Sequence, residues 1–162
     1  MSGIQALLMV LESAEKARDE AVSTLEAARQ AHASSRQQAQ SLNDWRQEYQ
    51  RRWQSQFQQS GGMEIVRCYQ DFTVRLGDAV SEQDRRVDLA EQHLARCRAL
   101  LIERERRVAA VSQLIERRRA ETQLRQNRQE QKATDEQAAR SVRMAQSQGM
   151  AASGMATGPC TH

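Results

Sequence analysis

His93 and Cys97 lie four residues apart, a spacing that puts an imidazole and a thiol on one face of a helix, as in half of a tetrahedral metal site. No second pair of that kind completes four ligands. Cys97 also falls on an apolar repeat, where a small hydrophobic core role accounts for it. The chain has no glycine loop to cradle a phosphate, no nucleophile elbow, and no paired carboxylates in apolar surroundings. Neither a catalytic residue nor a cofactor or metal is therefore expected, and the chain does not read as an enzyme. What remains for function is recognition, and the elements that would present it follow from the repeat itself.

Apolar and small residues recur at alternating steps of three and four from Ile4 through Leu7, Leu11, Ala14 and onward to Trp53 and Gln56. The same count from Val66 passes Tyr69, Leu76, Val80, Leu94, Cys97 and Ile115 to Arg118. Both arrays are heptad seams, and they are equal in length. A stripe this narrow does not sustain a lone helix and must be buried against a partner. Gly61 and Gly62 separate the arrays, and glycine there accepts a positive φ at little steric cost. Folding back at that point pairs positions whose numbers add to about 122, so that each a position meets a d position.

The expected fold is all-α, a long antiparallel two-helix coiled-coil hairpin with a C-terminal helical extension. Its parts are a first helix over 1–60, a glycine turn at 61–64, a second helix over 65–146 and a disordered tail over 147–162. Large residues meet small ones in most layers: Leu101 faces Ala21, Leu94 faces Ala28 and Tyr69 faces Trp53. At about 1.5 Å per residue the paired shaft is roughly 80 Å long. One layer opposes Arg18 to Arg104, which requires either outward snorkelling or a local slip. A parallel homodimer is the rival architecture, but it would break both strands at the glycines.

Composition narrows the function classes. Lys16 and Lys132 are the only lysines among 24 basic residues, set against 21 acidic ones for a net charge of +3. Asp88, Glu91, Glu103 and Glu105 interrupt the arginines, so no continuous phosphate track forms and nucleic acid is not an expected partner. Three unpatterned cysteines point to a reducing compartment. The N-terminal segment lacks the basic region of a signal peptide, and no run reaches the roughly 18 apolar residues of a membrane span. The expected location is the cytoplasm, without direct membrane insertion.

Three segments resemble a known family. LNDWRQEYQ at 42–50 is similar to the hydrophobic-aromatic-x-x-Glu-Tyr segment that precedes the turn in FliJ-like proteins. YQDFTVRLGDAVSEQ at 69–83 resembles the opening of that family's second helix, and NRQEQKATDEQAAR at 127–140 its C-terminal signature. The resemblance implies a stalk-like cytoplasmic component of the flagellar type III protein export apparatus, serving flagellum biogenesis, motility and chemotaxis. Such a stalk links the hexameric export ATPase to the cytoplasmic linker of the membrane export gate and assists the cycling of export chaperones. It implies association with the inner face of the membrane at the flagellar base. Carried over by residue, gate binding falls to Phe72, Leu76, Ala79 and Gln83, where the family often has histidine in place of Gln83. The implied ATPase-ring contacts are Arg128, Gln131, Lys132, Asp135 and Glu136. Lys132 and Glu136 are placed for an i,i+4 ion pair. The equivalent stalk protein of a virulence type III secretion system shares the fold and is the alternative, with a generic coiled-coil tether or chaperone arm behind it.

All six aromatic residues fall between Trp45 and Phe72. Trp45, Tyr49, Trp53 and Phe57 step by four and cross the seam diagonally, thickening the hairpin tip, with Tyr69 closing the cluster. Phe72 is expected to stand apart from them and serve a partner.

Overall fold

The computed structural model describes residues 2–59 and 62–154, and these form two helices: α1, Ser2–Gln59, and α2, Met63–Ser153. Among the described residues there is no strand. The chain divides into two units, one of Gln5–Val111 and one of Met1–Ile4 with Ser112–His162.

The first unit is an antiparallel helical hairpin. Every heptad position from Leu7 to Trp53 on α1, and from Val66 to Val111 on α2, is buried or half-buried. A buried hydrophobic cluster joins Leu25 and Ala28 to Leu94 and Cys97, with Leu101 packed against it. Each leucine buried this way stabilises the hairpin by about 1.5–3 kcal/mol. The register is the one expected from the repeat, since Trp53 and Tyr69 share a layer with ring centroids 5.3 Å apart. At the arginine layer the conflict is relieved by snorkelling. Arg18 turns its guanidinium onto Asp19, with Nε and Nη2 at 3.2 and 3.1 Å from Oδ1. Arg104 borders a groove beside Ala14 and Ala17, the α1 neighbours that an unshifted register gives it.

Two details of the turn depart from expectation. Gly62 adopts no left-handed φ, and Gly61 lies outside the described residues. Gly62 serves instead as the cap of α2: its carbonyl accepts from the Ile65 and Val66 amides at 3.2 and 3.3 Å. Glu64 in the first turn complements the helix dipole. On α1 the seam leaves its alternation after Trp53, because Gln56 is exposed and Phe57 packs inward. A ring at Phe57 reaches both Trp53 and Tyr69, at 5.5 and 5.4 Å, whereas glutamine at 56 has only a polar end to offer an apolar layer.

In the second unit, α2 continues to Ser153, and every residue from Glu116 to Ser153 is exposed. Residues 147–153, expected to belong to a disordered tail, are helical; Gly149 is flanked by Gln148, Met150 and alanines, and the last turn closes with the Gly154 amide on the Met150 carbonyl at 3.1 Å. Residues 155–162, the rest of that expected tail, lie outside the described residues.

Candidate functional site

The tip of the hairpin is a stack of six rings. Tyr49 is its hub, 5.8 Å from Trp53, 6.2 Å from Tyr69 and 4.2 Å from Phe72. Phe72 also meets Trp45 edge-on at 5.7 Å and 81°. Phe72 is therefore a member of the tip cluster and does not stand apart from it. Phe72 and Tyr49 come from facing helices with ring centroids 4.2 Å apart, and a ring packed against its neighbours gains more than one left in water.

Of the residues expected to bind a gate, two face inward. Leu76 and Gln83 are only 5% and 6% exposed, so both sit between the helices. Gln83 donates from Nε2 to the Ser35 carbonyl at 3.1 Å and to Gln38 Oε1 at 3.3 Å. Phe72 is half-buried and Ala79 is exposed. The four do not share one open face, because the i, i+4, i+7, i+11 series coincides with the seam that the partner helix already covers. Beside them runs an open depression of about 670 Å³, lined by Ser34, Gln37, Gln38, Ser41, Leu42, Trp45 and Gln83. Trp45 is 50% exposed on its rim. Sequence reasoning gave Trp45 only a packing role; its position on the seam flank, rather than within the seam, was the signal for its exposure.

Arg128, Gln131, Lys132, Asp135 and Glu136 are all exposed on the C-terminal stretch of α2. The Lys132–Glu136 ion pair does not form; the five ion pairs among the described residues all lie in 12–86. Local hydrogen bonds occupy this stretch instead, Gln123 to Asn127 at 3.0 Å and the Thr134 hydroxyl to the Glu130 carbonyl at 2.8 Å. These are solvated bonds of small net worth. Leu124, Val142, Met144 and Met150 leave apolar surface in water on the same stretch.

His93 Nε2 lies 3.7 Å from Cys97 Sγ, within one helix. Among the described residues no group of three or more His, Cys, Asp or Glu side chains converges. The arrangement supplies one weak hydrogen bond to a buried thiol.

The hairpin fold by itself does not single out a family, and the comparison with known families does. The family model described as "Flagellar FliJ protein" matches residues 3–147. The chain belongs to the FliJ family. Neither a curated protein nor a solved structure matches it individually. The FliJ family is a structural component of the flagellar type III export apparatus, and its partners belong to that apparatus. The matched span takes in the tip cluster and all of the exposed residues from Arg128 to Glu136. No described helix of this FliJ-family chain is long and apolar enough to cross a membrane.

Proposed function

We propose that this chain is the stalk that joins the hexameric export ATPase to the cytoplasmic linker of the membrane export gate, and that it assists the cycling of export chaperones. In this reading it works at the inner face of the membrane at the flagellar base. The observation that carries the reading is the family match over 3–147 on a hairpin whose second helix continues, fully exposed, past the end of the paired region. A helix kept in water over so many residues gains little from its own surface pairs, each worth about 0.3–0.5 kcal/mol. A partner that covers it supplies what those pairs do not.

The gate linker meets the strip of Phe72, Leu76, Ala79 and Gln83. Phe72 and Ala79 are the side chains within its reach, while Leu76 and Gln83 hold the seam behind them. Arg128, Gln131, Lys132, Asp135 and Glu136 belong to the end that enters the ATPase ring, with the first residues of α1. Binding of purified chain to the gate linker and stimulation of the ATPase test the two ends separately. Ala79→Asp and Phe72→Ala are expected to weaken gate binding with helix content intact. Removal of residues 120–162 is expected to abolish ATPase stimulation and spare the gate. Loss of both activities together on that truncation counts against two separable ends.

A further inference from the structure

The two flanks of the hairpin seam differ in chemistry. On one flank, Arg29 and Arg36 of α1 stand in register with Glu91 and Asp84 of α2, so that flank mixes both signs of charge. The other flank carries Val10, Ala17 and Ala31 from α1 and His93, Leu100 and Arg107 from α2, and these rows contain no carboxylate. Val10 and Leu100 remain 42% and 39% exposed there. At the Val10 end lies a depression of about 310 Å³ lined by Met9, Val10, Ser13, Ala14 and Ala17 together with Arg104 and Arg107. Arg18, Arg29, Arg52 and Arg86 each hold a carboxylate, but among the described residues Arg104 and Arg107 are in no ion pair. The mixed flank offers no single sign of charge to a partner. The open one combines an apolar floor, aliphatic rims and two uncommitted guanidiniums.

We propose that this flank, from Ala31 to Val10 along α1, is a docking groove for a third helix, an amphipathic acidic helix of a partner protein whose carboxylates face Arg104 and Arg107. Small side chains on the floor allow a helix to approach closely, and aliphatic residues on its inner stripe cover Val10 and Leu100. The guanidiniums select the sign of its charge, and each bidentate pair fixes its orientation. A second copy of this chain is a poor occupant, because a two-fold contact through this flank sets arginine against arginine with no carboxylate to offset it. The groove accepts a helix of about 21 residues, roughly 30 Å long. It is built from residues of the hairpin that the function proposed above does not use, and stands independently of it.

Fluorescence anisotropy with two synthetic amphipathic helices tests it. Both peptides carry the same Leu and Ala stripe, one flanked by Glu and the other by Lys, and each is titrated with the full chain. The Glu peptide is expected to bind at least tenfold more tightly than the Lys peptide. Arg104→Glu with Arg107→Glu should reverse that preference, and Ala17→Glu should weaken the Glu peptide at least tenfold. Val22→Glu, on the mixed-charge flank, should leave it unchanged, and circular dichroism should show equal helix content in all variants. Equal affinity for the two peptides, binding of neither, or a preference that survives the double reversal overturns the proposal. So does sedimentation showing a dimer that Ala17→Glu dissociates, which assigns the groove to a second copy.

Discussion

Gln83 on α2 bonds to the backbone of Ser35 on α1, 48 positions earlier in the chain, through Nε2 and the carbonyl oxygen at 3.1 Å. Together with its contact to Gln38 this is the only side-chain hydrogen bonding that crosses the hairpin among the described residues. The Ser35 carbonyl can accept it without leaving its own helix, since a carbonyl oxygen has two lone pairs. Elsewhere the seam is set by apolar contacts that tolerate sliding, so this one polar layer specifies which residues face each other.

Gln83→Ala is expected to lower stability by about 1–2 kcal/mol, through the lost bond and the space left behind, as read by urea denaturation. Gln83→Leu should recover that stability while broadening the distance distribution between spin labels on α1 and α2. A sharp distribution in Gln83→Leu would show that the aromatic tip alone sets the register.

Gly77 lies within α2, half-buried, and a Cβ placed on it meets no atom within 4 Å. Its conformation is helical, so a methyl group costs nothing and removes backbone freedom from the unfolded chain. Gly77→Ala should stabilise the hairpin by about 0.5–1 kcal/mol, seen as a higher Tm.

Leu94 and Leu124 lie on the same helix in opposite circumstances, 6% and 53% exposed. Leu94→Ala should cost about 2–5 kcal/mol through the cavity it opens against Leu25 and Ala28. Leu124→Ala should cost less than about 0.5 kcal/mol. If the second change proves as costly as the first in the isolated chain, the C-terminal stretch of α2 is covered by something other than water.

Cys68 is exposed and Cys97 is buried. Alkylation followed peptide by peptide should modify Cys68 rapidly and Cys97 only as fast as the hairpin opens. The rate at Cys97 then reports opening at the buried cluster it shares with Leu25, Ala28 and Leu94, and Leu94→Ala should accelerate it.

The heptad count located nearly every seam residue because burial there is set by where a side chain leaves the backbone. The same count could not foresee Phe57 replacing Gln56, or Phe72 joining Tyr49, because a ring reaches several ångströms sideways from its Cα and can fill a layer to which its position does not assign it. Gln83 was legible as a seam position, but its bond to Ser35 depends on a rotamer that spacing does not encode. The candidate gate residues were drawn from a family pattern, and that pattern overlays the seam at Leu76 and Gln83, so sequence could not separate a docking ridge from a packing ridge. The C-terminal stretch was legible as helix from its strong helix formers. Its end was not, since composition around Gly149 weighs glycine and serine against alanine, methionine and glutamine with no packing to decide.

No side chain among the described residues falls below 2% exposure. The hairpin thus has a seam one layer thick and no deep interior, which sets its thermal character. Unfolding exposes little apolar surface per residue, so its heat-capacity increment should fall below the ~12–15 cal/mol/K per residue of globular domains. A small increment flattens the stability curve, and the population of open hairpins changes slowly over a wide span of temperature. Such a hairpin keeps a similar folded fraction in the cold and in the warm.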